Sequence, residues 1–345
     1  MEKPPVSSAS SPASAAPSAA ASPSAAAGPL PAAAAAGPVA APPSRLARMR
    51  DSDLWWSFWH HPSAVIAAGL LILLIASAFL APWITVQNPY DLASLDLLNA
   101  ELPPIWEEMG QWPYLLGTDL QGRDMLSAIL YGSRASIVIG AASVAVSLAV
   151  GATLGLVAGY YGKWADSLLM RVGDVLLSMP TMLIAILVSA VARELLPPAW
   201  REAGASAVIV LAISLSAWVQ YARTVRAQTM VERNKEYVQA ARLIRVPPRR
   251  IMLRHILPNT TTPLLVAATL NFGLGILIEA TLSFLGVGMP PEQPSLGTLI
   301  RIGNQYLFSG LWWIVVFPAV QLCLLVVSIN VLGDWLRDAL NPKLR

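Results

Sequence analysis

The sequence predicts an all-α, polytopic membrane protein of six transmembrane helices, and three observations predict it. The first is composition. Of 345 residues, 55% are hydrophobic and 12% charged, where soluble domains carry about 25% charge. Mean hydropathy is +0.57. So few charges cannot cover a water-exposed surface, which excludes a soluble enzyme, a disordered chain and a coiled coil. The second is the length of the charge-poor runs. They approach the ~20 residues that cross a bilayer as a helix, and they are too long for barrel strands. The third is that basic residues gather on alternate connections between those runs.

Residues 1–44 hold 17 Ala, 10 Pro and 9 Ser, with only Glu2 and Lys3 charged. Proline breaks each alanine run, and the segment is too poor in bulky apolar side chains to form a core. No Leu-rich stretch follows a basic start, as a signal peptide requires. Residues 1–54 therefore read as a disordered cytoplasmic tail with an interfacial segment, and 55–345 as the membrane domain.

No Asp, Glu, Lys or Arg occurs between Asp53 and Asp91, and residues 63–86 form the first expected span. The others are 135–162, 175–192 with a start near Leu168, 203–222, 255–278 running on to about 286, and 302–333 centred on 311–332. With the N-terminus inside, 18 Lys and Arg lie on inner segments and 5 on outer ones. Lys and Arg accumulate on the cytoplasmic side, so both termini are expected there. Trp55, Trp56, Trp59, Trp83, Trp312 and Trp313 sit near span ends, where amphipathic rings meet headgroups. In the second span Ser143, Ser147, Gly151, Gly155 and Gly159 recur every four residues. Small residues at that spacing let helices approach closely. The stripe reads first as packing within the bundle and second as a seam between subunits.

The outer loop, 87–134, carries seven acids against Arg123 and Arg134. It ends in Gly117-Thr118-Asp119-Leu-Gln-Gly122-Arg123-Asp124. Thr118 or Asp119 is expected to cap a helix, with Asp124 near its N-terminal dipole. The loop reads either as a solvated covering or as a docking surface. The inner loop, 221–259, is the most basic part of the chain. It predicts a helix over 233–243, a break at Pro247-Pro248, and a second short helix from Pro248 that stops before Pro258. A merely solvated, positive-inside loop is the plainer reading. Gly and Pro crowd the outer segment 286–310, which predicts a rigid turn or re-entrant segment and no helix.

Chemistry is sparse. Cys323 is the single cysteine, which excludes an intrachain disulfide or thiolate metal cluster. His60, His61 and His255 form no metal constellation. Gly162-Lys163 is followed by Trp164, where a phosphate loop needs Ser or Thr. No metal site and no ATP hydrolysis are expected of this chain. Asp174 and Glu279 lie in or near spans, where acids are functional candidates by default. Both sit near span ends, which favours structural hydrogen bonding.

Three stretches carry a resemblance. They are Gly117–Ser127 with Tyr131-Gly-Ser-Arg134; Glu236-Tyr-Val-Gln-Ala-Ala-Arg242 with Arg249-Arg-Ile-Met-Leu-Arg-His-Ile-Leu-Pro-Asn259; and Glu279-Ala-Thr-Leu-Ser-Phe-Leu-Gly-Val-Gly288 with Asn330–Arg345. Together the chain resembles the C-type permease subunits of ATP-binding-cassette importers for dipeptides, oligopeptides and nickel. The resemblance implies the type I importer permease fold in a bacterial inner membrane. It implies a second, homologous permease, two cytoplasmic ATPases that hold ATP and Mg²⁺, and an extracytoplasmic binding protein. It implies no cofactor on this chain and no nucleic-acid partner. The ATPase-coupling loop would use Glu236, Gln239, Ala240, Ala241, Arg245, Arg249, Arg250, Ile256, Leu257 and Pro258. Gln239 stands where the family has Glu, Arg245 where it has Gly, and Leu296 where it has Trp. Peptides are the expected solute, though nickel and other small solutes use the same scaffold. Two other classes stand beside this one. An ion-coupled secondary transporter would show inverted repeats, and none is visible. A structural membrane protein would have no transport path.

Overall fold

The computed structural model describes residues 53–340, apart from Leu92, Ser94 and residues 198–203. The Ala/Pro/Ser tail over 1–52, Arg201, Glu202, Lys343 and Arg345 lie outside the described residues. The elements are α1 (Asp53–His60), α2 (Pro62–Phe79), α3 (Ala81–Ile84), α4 (Met125–Tyr161), α5 (Lys163–Leu177), α6 (Thr181–Leu195), α7 (Ala205–Glu232), α8 (Glu236–Leu243), α9 (Pro248–Arg250), a π-turn (Ile251–Ile256), α10 (Leu257–Phe284), α11 (Leu296–Gln305) and α12 (Trp313–Ala339). No strand occurs among the described residues.

Five helical segments are long and apolar enough to cross a membrane: α2, α4, α7, the continuous stretch Pro248–Phe284, and α12. The sixth crossing is α5 with α6, bent by 90°. The straight span expected from near Leu168 to Ala192 is therefore broken. Pro180 has no N–H to continue the α5 ladder, and it forces Met179 out of helical geometry. Two ion pairs link α5 to α7, the less exposed of them Arg226–Asp166. Arg226 grips Asp166 through Nε and Nη2, and Arg223 Nη2 lies 2.5 Å from Asp174 Oδ1.

Helix α4 begins at Met125, ten residues before the charge-free run. Charge does not end a helix, but a cap starts one. Asp124 is that cap, its carboxylate accepting the Ser127 N–H at 2.8 Å. Thr118 and Asp119 do not cap; they build the turn before it. Arg134 sits inside α4, its guanidinium 5.7 Å from the centre of the Phe79 ring.

The small-residue stripe of α4 faces α7, and this is the most extensive helix pair in the bundle. A Cβ on Gly151 would lie 2.5 Å from the Trp218 carbonyl oxygen, and one on Gly155 2.5 Å from that of Ala222. The Ser214 hydroxyl donates to the Ser143 carbonyl at 3.1 Å. The stripe is intramolecular packing.

The last span also starts later than hydropathy suggests, at Trp313. Residues 296–305 form the separate helix α11, capped by the Ser295 hydroxyl, against the expectation of no helix there. Gly303 lets α11 lie on the start of α12, since a Cβ there would meet the Ile314 carbonyl carbon at 2.6 Å.

Candidate functional site

Three features stand out: an outer hub, a basic inner loop and a cavity between them.

The hub is Gly117–Asp124. The Asp119 carboxylate accepts the N–H groups of Gln121 (2.8 Å) and Arg123 (2.9 Å). Gly122 takes φ 71°, and a Cβ there would lie 2.1 Å from the Asp96 carbonyl oxygen. Thr118 donates its hydroxyl to Asn99 O at 2.6 Å and accepts from Leu102 N at 2.8 Å. Trp313 Nε1 donates to Thr118 O at 3.0 Å, and Arg123 Nη1 to Pro291 O at 3.0 Å. Arg123 is buried, as are Thr118, Asp119 and Asp124. Burial pushes the carboxyl groups of Asp119 and Asp124 above their usual range, against the hydrogen bonds that hold the anions. The motif is thus an internal knot joining the outer loop to α4, α12 and the 286–295 turn. Of the acids outside it, Glu107 accepts from Trp312 Nε1 at 3.2 Å and Asp96 from Leu98 N at 3.0 Å.

The inner loop divides cleanly into anchored and presented residues. Helix α8 ends in a Schellman motif. Val246 N–H donates to Ala241 O at 3.0 Å and Arg245 N–H to Arg242 O at 3.0 Å. Arg245 sits in the left-handed region at φ 58°. It makes, with a Cβ, the left-handed turn that glycine makes most readily. Beyond Pro247 the chain re-enters helix at Pro248. The second short helix does not stop before Pro258; it runs into α10 through the π-turn. Leu257 N–H reaches Met252 O, five residues back. One extra residue in that turn shifts the ladder just where Pro258 would clash with it.

Val238, Ala241, Ile251, Met252 and Ile256 pack inward on Leu156, Tyr221 and Val225. Ala241 and Ile256 therefore meet this chain's own core. Leu257 is half-buried, and Glu236, Gln239, Ala240, Arg245, Arg249, Arg250 and Pro258 are exposed. So are Leu243, at 84%, and Ile244, at 77%. Several basic residues are already engaged. Arg233 Nη1 donates to Gly159 O at 2.8 Å at the end of α4, Lys235 Nζ lies 2.6 Å from Glu232, and Arg242 lies 4.9 Å over the Tyr160 ring. Tyr237 donates to the Glu232 carboxylate and accepts from Asn259 Nδ2 at 2.9 Å, tying α7, α8 and α10 together. Burial and the Glu232 carboxylate push its hydroxyl above the usual tyrosine range.

Glu279 is fully buried and accepts from Ser136 at 2.6 Å and Ser283 at 2.7 Å. Asp174 is exposed in its pair with Arg223. A cavity of about 480 Å³ opens between α4, α7 and α10 beside the α5–α6 break. Its polar lining includes Gln220, Tyr221, Arg223 and Asn271. Counting formal charges passed over Gln220 and Asn271; neutral amides inside apolar runs were the signal. Among the described residues no group of His, Cys, Asp or Glu could hold a metal ion.

A bent crossing, a polar intramembrane cavity and a rigidly anchored basic loop define a helical membrane-transport component. Residues 151–345 match the family described as the binding-protein-dependent transport system inner membrane component, and 52–104 match the N-terminal transmembrane domain of oligopeptide transport permease C. The chain belongs to this family of ABC-importer permeases. It is 38% identical to the di/tripeptide transport system permease protein of Pseudomonas aeruginosa, over 89% of this chain and 96% of that one. It is 38% identical to the dipeptide transport system permease of Escherichia coli K12, over 85% and 93%. It is 36% identical to the glutathione transport system permease of Pectobacterium atrosepticum, over 86% and 95%. The methionine ABC transporter MetNI, in an inward-facing crystal form, matches with a TM-score of 0.48 at 20% identity, over 63% of this chain and 98% of that chain.

Proposed function

We propose that this chain forms half of a peptide translocation path, beside a second, homologous permease. Two ATPase subunits dock on residues 236–258, and a binding protein delivers solute to the opposite face. ATP and Mg²⁺ belong to the ATPases, which supply the hydrolysis; this chain binds no cofactor. Both termini and the 236–258 loop face the cytoplasm, in keeping with the 18 to 5 bias of basic residues.

One observation carries the reading. The loop is anchored from within by Ala241, Ile251 and Ile256, while Ala240, Leu243, Ile244, Arg249 and Arg250 are exposed. A solvated covering has no reason to expose Leu243 and Ile244 together on a stiff support. Such a ridge moves as a rigid body, so closure of the ATPases on ATP shifts α8 and the start of α10 with it. The free energy of the switch comes from ATP binding the closed state more tightly, and the loop transmits it. Peptides are the solute in the names of these relatives, and Gln220, Asn271 and Arg223 give the cavity polar groups that suit them. Affinity purification from the native membrane tests the assembly. A second permease and two ATPases should co-purify in equal measure; a chain that purifies alone and carries no peptide-stimulated ATPase contradicts it.

A further inference from the structure

The cavity is the part of the bundle that docking leaves unused. Its volume, about 480 Å³, is that of a small-solute site. Leu274 and Ile278 give it an apolar wall. Gln220 and Asn271 each offer two donors and an acceptor, the complement of a peptide group. Tyr221 is fully buried beside Asn271, and its hydroxyl has no partner at hydrogen-bonding geometry. Among the described lining residues Arg223 alone is charged. Its partner Asp174 lies one turn before Leu177, where α5 ends at the cavity. The two side chains are 48% and 64% exposed. An ion pair that open to solvent is held weakly and can exchange partners.

We propose that this cavity binds a short peptide with both termini free, Arg223 taking its carboxylate and Asp174 its ammonium group. Gln220 and Asn271 then meet the peptide bond. The inference rests on the peptide-importer reading and adds the site and the chemical rule of selection. One ion pair within the protein becomes two between protein and solute, so every charge keeps a partner. The charged ends of an extended dipeptide are about 7 Å apart. Arg223 and Asp174 must part to admit it, and their exposure leaves both room to move. Blocking either terminus strands one of the two partners. The apolar wall makes no directional bond, so side-chain identity counts for little and free termini for much.

The test uses the complex of two permeases and two ATPases in nanodiscs, without the binding protein, whose own selectivity would mask the result. Equilibrium binding is measured for radiolabelled dialanine, N-acetyl-dialanine and dialanine amide. Dialanine should bind about tenfold or more tightly than either blocked form. Arg223→Gln should erase discrimination against the amide, and Asp174→Asn discrimination against the N-acetyl form. Arg223→Lys should keep the carboxylate preference, and co-elution of both permeases and both ATPases in each variant reports intact assembly. No dialanine binding by the wild-type complex, or discrimination unaltered in both neutral variants, overturns the site. Peptide uptake by the wild-type complex completed with its binding protein separates the two ideas. Uptake with unaltered discrimination sinks this inference alone, whereas no uptake of any peptide sinks the importer reading as well.

Discussion

The Val246 N–H reaches the Ala241 carbonyl at 3.0 Å, and it does so only because Arg245 between them adopts φ 58°. A residue with a Cβ in that region is strained by about 1–2 kcal/mol, a strain glycine escapes. Glycine also loses about 0.5–1 kcal/mol more to unfolded-state entropy. The two terms leave Arg245→Gly neutral to about 1.5 kcal/mol stabilising. Thermal denaturation of the purified complex should show an unchanged or higher midpoint, with coupling kept. A lower midpoint, or complete loss of coupling, would mean that the guanidinium makes a needed contact.

Ala241 faces inward, so bulk there damages the fold before it touches any partner. Overpacking a filled core costs about 1–3 kcal/mol. Ala241→Trp should lower the membrane level and thermal midpoint of the chain. A fully expressed, normally stable variant would show that the α8 core face can open.

The hub carries a pH signature. Burial raises the pKa of Asp124 above its ordinary value of 3.8. The sign follows: its contribution to stability is fully present below 3.8 and is lost as pH rises through the raised folded value. Asp124→Asn keeps an oxygen to cap Ser127 and removes the ionisation. Its melting midpoint should therefore vary less between acid and neutral pH than that of the wild type. Asp124→Ala should lose the cap at every pH, about 1 kcal/mol. Identical pH profiles for wild type and Asp124→Asn would remove Asp124 from the account.

Orientation is read by single cysteines in a Cys323→Ser background, needed because Cys323 is exposed. A thiol at position 249 should label from the cytoplasm, and thiols at 107 and 292 from outside. Labelling of position 107 from the cytoplasmic side alone would invert the topology.

Hydropathy made the spans legible because lipid demands length and apolarity, and α2, α4, α7 and α12 satisfy it openly. It missed the start of α4, which Asp124 sets by hydrogen bonding, and the separate helix α11 that Ser295 caps before α12, since apolar counts do not register caps. It also missed the 90° bend, although Pro180 marked the place. The inner loop was legible as helix, turn and helix. Which face is buried was not: Ala240 and Ala241 are chemically identical, and only packing against Leu156, Tyr221 and Val225 separates them. Likewise the nine basic residues over 223–254 look alike in sequence. The structure engages Arg223, Arg226, Arg233, Lys235 and Arg242 within the chain.

The central claim is that the exposed face of α8 receives an ATPase, and Ala240→Trp tests it most directly. Ala240 is exposed beside the buried Ala241, so the substitution leaves this chain's core alone. Bulk on a docked surface costs about 1–3 kcal/mol, which is roughly fivefold or more in a coupled equilibrium. The measurement is ATP hydrolysis stimulated by the peptide-loaded binding protein in the reconstituted complex. Expression should be normal, with stimulation reduced roughly fivefold or more; wild-type stimulation by a fully expressed Ala240→Trp complex would contradict ATPase docking on α8.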